Sequence, residues 1–107
     1  MPREAEPLLD VAFDAEVIHW RGPAPFLFLP VPEPLVGEVR YAARLASYGW
    51  GCVPVAAEIQ GFAFTTSLFP RDGGYMLPVK VAVQRACGIG LGDRVQASMR
   101  IEDRNPG

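Results

Sequence analysis

The sequence predicts a single mainly β domain, a closed β-barrel that also carries two short helices. Four segments alternate apolar and polar residues with a period of two, which is typical of strands that bury one face. Two further segments carry apolar residues at helical spacing. The predicted elements occur twice in the same order, and two such units would close a barrel that has no open sheet edge.

The first half of the chain predicts two strands, a helix and a third strand. The helix is expected because apolar residues from Leu35 to Ala46 recur at intervals of four, three and four. Pro34 suits the start of a helix, whereas Gly37 inside the segment weakens the prediction. The predicted elements of this half are strand 11–18, strand 26–29, helix 34–46 and strand 53–60.

The second half predicts the same series of elements. Gly61 separates two alternating rows and indicates a tight hairpin. Pro78 suits the first position of a helix, and Gly88 suits the position after its end, where glycine adopts a positive φ at little cost. The predicted elements of this half are strand 61–69, strand 74–77, helix 79–87 and strand 93–101.

A weak internal repeat relates the two halves. Leu29-Pro30-Val31 and Leu77-Pro78-Val79 stand 48 residues apart, at the same place in each series. We interpret the halves as strand–strand–helix–strand units around a pseudo-two-fold axis; chance similarity of two ordinary halves is the alternative. The domain is expected over 10–102, with flexible ends at 1–9 and 103–107.

Composition limits the classes of function. The 107 residues have a net charge of −2, which argues against a general nucleic-acid binder, although residues 71–107 carry six basic and four acidic groups. The chain shows no secretory signal and no apolar stretch long enough to span a bilayer. Its two cysteines are expected to be reduced thiols. We therefore expect a cytoplasmic domain with no membrane partner.

The loop Arg71–Tyr75 and its surroundings are the best candidate for a binding site. Its paired glycines allow exposed backbone amides to face an anion, and nearby hydroxyl and basic side chains suit a carboxylate or phosphate. A simple turn is the alternative. The candidate ligand-binding residues are Thr66, Ser67, Arg71, Gly73, Gly74, Tyr75, Lys80 and Arg85.

Catalytic and metal chemistry have weaker candidates. His19 is the only histidine, and a general base needs a partner that the sequence does not show. Cys52 and Cys87 are expected to be buried, and the spacing of one histidine and two distant cysteines suits no metal. Asp93 follows a glycine and is expected to be a turn residue that bonds its own backbone. We predict no catalytic residue, metal or cofactor.

The motifs SLFP at 67–70, GGY at 73–75, LPVK at 77–80 and GIGLGD at 88–93 resemble a small bacterial family filed as a domain of unknown function. The resemblance runs from residue 10 to residue 102. It implies a double-split β-barrel, which is similar to the swapped-hairpin domains of AbrB- and MazE-type regulators. Those regulators build the barrel from two chains, whereas the internal repeat suggests closure within one chain. The resemblance brings no established activity.

Three functions stay open at this point. A non-catalytic binding or accessory module, which takes a small anion or a protein partner, is preferred. An AbrB-like DNA-binding regulator is the alternative, with Lys80, Arg85, Arg94 and Arg100 as candidate phosphate contacts. An enzyme with a carboxylate base such as Asp72 ranks last, because a fold by itself carries no activity. The sequence does not determine the oligomeric state.

Overall fold

A computed structural model describes residues 7–20, 26–46 and 52–102. The elements are seven strands and two helices, and every predicted element is present with shifted ends. In chain order they are β1 (Leu9–Glu16), β2 (Ile18–Trp20), β3 (Phe26–Pro30), α1 (Glu33–Ala46), β4 (Val53–Ile59), β5 (Phe62–Arg71), β6 (Gly74–Val79), α2 (Val81–Cys87) and β7 (Arg94–Ile101). The predicted flexible ends, 1–9 and 103–107, lie mostly outside the described residues, and Leu9 already belongs to β1.

The strands form one antiparallel sheet in the order β1-β7-β4-β5-β6-β3-β2. The sheet is strongly curled into a half-barrel, and the two helices accompany it. The prediction of a mainly β domain with two short helices is thus confirmed. The pairing places β1 and β2, which are consecutive in the chain, at opposite ends of the strand order.

Two stretches of chain change their pairing partner along their length. Residues 62–68 of β5 pair with β4, whereas 69–71 pair with β6. In the same way, β1 pairs with β7 and β2 pairs with β3. The change occurs at Val17, a fully buried residue whose N–H donates to the Asp93 carbonyl at 2.8 Å and whose carbonyl accepts from the Gly92 N–H at 2.9 Å. The predicted strand 11–18 is therefore two strands.

The core lies on the inner side of the curl. In β4 and β7 every second residue is buried, as the sequence alternation predicts. Burial of these apolar rows in the common hydrophobic core is the main stabilising contribution, on the order of 25 cal/mol per Å² of apolar surface. Among the described residues no polar or charged residue is buried. The outer residues of these strands therefore remain available to form a surface site.

Two hairpins have the turn geometry that short antiparallel connections favour. Gln60 and Gly61 join β4 to β5 with φ of 51° and 81°, and Asp72 and Gly73 join β5 to β6 with φ of 52° and 78°. Two consecutive positive φ values match the right-handed twist of the strands, and glycine at the second position tolerates them. The predicted hairpin at Gly61 is confirmed.

The start of the second helix was predicted wrongly. Pro78 and Val79 belong to β6, opposite Phe28 and Leu27, and α2 begins only at Val81. The Val31 N–H donates to the Tyr75 carbonyl. The backbone N–H and C=O groups of the odd-numbered residues of β6 therefore point towards β3, whereas those of residue 78 point away from β3. Pairing of β5 with β6 ends at Met76, so no neighbour needs the N–H that proline lacks.

The end of that helix agrees with the prediction. Gly88 adopts the left-handed conformation with φ of 65°, and its N–H bonds to the Gln84 carbonyl. Of the predicted core face, Val83 is buried and Cys87 is half-buried, whereas Ala86 is exposed. Pro78, which predicted an earlier helix start, lies in β6 in this fold.

Candidate functional site

A cavity of about 760 Å³, here called the main groove, lies on the outer side of the sheet. It is built by cross-strand register rather than by one loop. Pro54, Val55 and Ala56 of β4 stand directly opposite residues 65–67 of β5. Arg100 of β7 stands opposite Ala56 on the other side. The lining residues are Pro54, Val55, Ala56, Thr65, Thr66, Ser67, Lys80, Arg100 and Glu102.

One cross-strand row organises the charges of this groove. Thr65, Ala56, Arg100 and Asp10 are successive partners across β5, β4, β7 and β1. Arg100 Nη2 lies 3.6 Å from Asp10 Oδ2, and Arg100 Nη1 lies 3.8 Å from Glu102 Oε2. Lys80 is exposed, directly after β6, and among the described residues no carboxylate forms an ion pair with it. Lys80 is thus the cation of the groove whose charge is not already offset.

The structure divides the predicted binding residues between two places. Thr66, Ser67 and Lys80 lie together in the main groove. Gly73 and Gly74 line a second, smaller cavity of about 400 Å³ between α1 and the β5–β6 hairpin. The eight residues therefore do not form one common cavity.

The smaller cavity, here called the hairpin groove, has a different charge. Arg40 of α1 donates from Nη2 to the Gly73 carbonyl at 2.8 Å, which ties the helix to the hairpin. Glu33 and Asp72 also line this groove. With one guanidinium and two carboxylates its lining is net acidic, which does not favour an anion at Gly73 and Gly74. Electrostatics thus leaves the main groove as the better site for the predicted anion.

Three predicted site residues lie outside both groove linings. Tyr75 is buried, with 9% of its surface exposed, and belongs to the hydrophobic core. Arg71 Nε lies 3.4 Å from Asp72 Oδ2. Arg85 is exposed in the last turn of α2. Arg85 is therefore an exposed cation outside both grooves, and it is suited as a matched control for Lys80.

The sequence did not predict that residues 54–56 of β4 and the carboxylate of Glu102 line the main groove. It predicted Arg100 only as a phosphate contact in the DNA-binding alternative. The alternation of β7 places Arg100 on the exposed row. The alternation alone does not predict that Ala56 and Thr65 are the successive cross-strand neighbours of Arg100, because this depends on which strands pair. The signal that could have found the site is therefore the strand order.

The catalytic candidates have no arrangement that assigns them a role. His19 is exposed on β2. Cys52 and Cys87 are half-buried free thiols, and Cys87 Sγ donates to the Ile59 carbonyl at 3.3 Å. The described part of the chain holds no group of three or more histidine, cysteine or acidic residues that could bind a metal. The absence of catalytic residues and of a cofactor stays a prediction.

Two aromatic residues that could supply an exposed binding surface, Tyr48 and Trp50, lie outside the described residues. Tyr41 and Leu45 of α1 are exposed apolar side chains one helical turn apart.

Within 7–20, 26–46 and 52–102, no helix is long and apolar enough to cross a membrane. The predicted cytoplasmic localisation stays a prediction.

Comparison with protein families matches residues 13–99 to a domain of unknown function, DUF1905. The chain belongs to the DUF1905 family. The resemblance predicted from the motifs at 67–93 is thereby confirmed at the level of the family, while the likeness to AbrB- and MazE-type domains stays a prediction. A search of curated proteins finds no match. Membership in DUF1905 brings no activity with it, so function has to be argued from the grooves.

Proposed function

We propose that this DUF1905 domain is a non-catalytic binding module whose main groove takes a small anionic ligand. The observation that carries the proposal is that Lys80, Arg100 and the hydroxyl residues Thr65 and Ser67, which share one face of β5, line one concavity of about 760 Å³. Pockets of small-molecule sites have volumes of roughly 300–1,000 Å³ and a few convergent polar groups on an apolar lining. Pro54, Val55 and Ala56 supply that apolar lining here.

Lys80 is the residue expected to contribute most to the affinity. Contacts between exposed opposite charges contribute about 0.2–1 kcal/mol, and among the described residues no carboxylate competes for the Lys80 ammonium group. The hydroxyl of Ser67 can donate to the second oxygen of a carboxylate. A protein partner that presents a carboxylate would use the same contacts.

DNA binding, the alternative from the resemblance to AbrB-type regulators, is disfavoured by the charge arrangement. The β1–β7 register places Asp10 opposite Arg100 and Glu16 opposite Arg94. The basic excess of residues 71–107 is therefore offset on β7 by acidic partners from β1. A phosphate backbone needs an unopposed basic surface.

The experiment is a titration of the protein with hexanoate and with inorganic phosphate, followed by amide NMR shifts. We expect saturable shifts at Ser67 and Lys80 for hexanoate. Lys80→Ala should weaken binding about threefold, which corresponds to the loss of one exposed charge contact. The matched control, Arg85→Ala, removes the same charge from α2 outside the groove and should leave affinity unchanged.

Two results would refute the placement of the anion. One is equal weakening by Lys80→Ala and Arg85→Ala, which would indicate a general charge effect. The other is the absence of saturable binding for both anions, which would leave the groove without its proposed ligand class.

We further infer that the curled sheet closes into a double-split β-barrel around a pseudo-two-fold axis. Support comes from the β3–β6 register, in which Leu29 pairs with Leu77, its counterpart in the repeat. The two stretches that change partner, 9–20 and 62–71, occupy equivalent places in the two halves. Amide hydrogen exchange along residues 9–20 tests the closure.

A further inference from the structure

The charges around the main groove divide into a cationic side and an acidic side. Lys80 stands on the cationic side without an ion-pair partner among the described residues. On the other side, the single guanidinium of Arg100 lies between two carboxylates, those of Asp10 and Glu102. That triad is net negative by one charge, and of its members Arg100 and Glu102 line the main groove while Asp10 flanks it in a neighbouring cavity. The surroundings of the groove are therefore dipolar rather than cationic.

The two carboxylates keep their capacity to accept hydrogen bonds. Their distances from Arg100, 3.6 and 3.8 Å, are longer than a hydrogen bond. No other donor within the described residues bonds the side chains of Asp10 or Glu102. Their side chains are 58% and 68% exposed, and ion pairs this exposed contribute little. An ammonium group of a ligand could therefore approach them without breaking a strong contact.

The space between the two sides is apolar. Lys80 directly follows β6 and Glu102 directly follows β7, and the strand order β7-β4-β5-β6 puts three strand spacings, about 14 Å, between those two strands. Ala56 and Pro54 line the interval. A ligand that reaches both sides therefore needs a spacer of a few methylene groups or one to two peptide units.

We propose that the ligand class of the main groove is a zwitterion with a carboxylate and an amine separated by a short apolar spacer. This inference rests on the proposed function and makes it more specific. The carboxylate would bind Lys80 and the hydroxyl of Ser67, and the amine would bind Glu102, with the carboxylate of Asp10 flanking the groove. The groove residues Lys80, Arg100 and Glu102 and the flanking Asp10 together have no net charge, so a zwitterion leaves the site neutral, whereas a phosphate dianion would leave it negative.

The test compares the affinities of unbranched alkyl compounds that differ in their charged end groups, measured by calorimetry and amide NMR. The zwitterions are aminobutanoate, aminohexanoate and aminooctanoate with the amine at the far end of the chain. Hexanoate and hexylamine carry one charge each. We expect at least one zwitterion to bind about threefold more tightly than hexanoate and hexylamine, because a second exposed charged contact is added.

Glu102→Gln should remove most of the advantage of the zwitterion over hexanoate. The matched control is Glu16→Gln, which neutralises an exposed carboxylate on β1 opposite Arg94 and outside the main groove. It should leave the affinities of all probes as in the parent protein.

The outcomes separate this inference from the function on which it rests. If hexanoate binds through Lys80 as tightly as the best zwitterion, the zwitterion inference is wrong and the anion groove stands. If zwitterions bind more tightly but Glu102→Gln has no effect, the placement of the amine is wrong. If no carboxylate binds, both the inference and the proposed function fail.

Discussion

At the scale of single residues, Asp93 shows how one side chain fixes a turn of this fold. Its Oδ2 accepts from the Gly90 N–H at 2.8 Å, and its own N–H donates to the Gly90 carbonyl at 3.1 Å. Gly92 at the third position of this turn has φ of 88°, which glycine tolerates. The Asp93 carbonyl accepts from Val17, where the chain passes from β1 to β2. The expectation of a turn residue is confirmed.

We predict that Asp93→Ala lowers the free energy of unfolding by about 1 kcal/mol, because an exposed turn loses one side-chain to backbone hydrogen bond. Urea denaturation followed by tryptophan fluorescence measures the change. Asp14→Ala, which removes an exposed carboxylate of β1 that makes no hydrogen bond to the described residues, is the control and should cost clearly less. Equal losses in both variants would contradict the role of the bond.

At the scale of elements, the boundaries depend on pairing more than on local preference. The sequence at Pro78 and Val79 is compatible with a helix start, yet both residues pair with β3 and belong to β6. The predicted strand 11–18 divides at Val17 because β7 pairs with its first part and β3 pairs with the chain beyond it. A period-two pattern predicts that a strand exists but is insensitive to a change of partner.

Hydrogen exchange at β2 distinguishes a closed sheet from an open one. In an open sheet, β2 is a terminal strand of three residues, and its amides that bond to β3 would exchange rapidly through local fraying. In a closed barrel, β1 and β2 act as one strand held at both ends. We expect the paired amides of 18–20 to exchange as slowly as those of β4, by global unfolding. Fast exchange confined to β2 would contradict closure.

At the scale of the whole molecule, the two halves of the chain depend on each other. Four ladders join residues before Gln60 to residues after Gly61: β1–β7, β3–β6, β4–β5 and β4–β7. Only the short ladders β2–β3 and β5–β6 stay within one half. A two-stranded ladder of this length is not stable alone in water.

We therefore predict that the separate fragments 1–60 and 61–107 lack strand structure by far-ultraviolet circular dichroism. An equimolar mixture should regain part of the strand signal of the intact domain, since it restores the four joining ladders. The intact protein serves as the reference. A cooperative thermal transition in either fragment alone would contradict this dependence.

The sequence by itself determined the local features of this protein. Alternation predicted most of the strands because one buried face imposes period two, and glycine positions predicted the hairpin at Gly61 and the end of α2. The motifs at 67–93 also identified the family. Part of the site was accessible in the same way, since Thr66, Ser67 and Lys80 were selected from residue type and proximity in the chain.

Only the tertiary structure decided the rest. Strand order brought Ala56, Thr65 and Arg100 into one row, placed Gly73 in a different groove from Lys80, and set acidic β1 beside basic β7. These juxtapositions join residues far apart in the chain. Local preferences act within a few residues, whereas pairing is determined by the burial of the whole apolar surface at once. For that reason the main groove is a property of the sheet and not of any single segment.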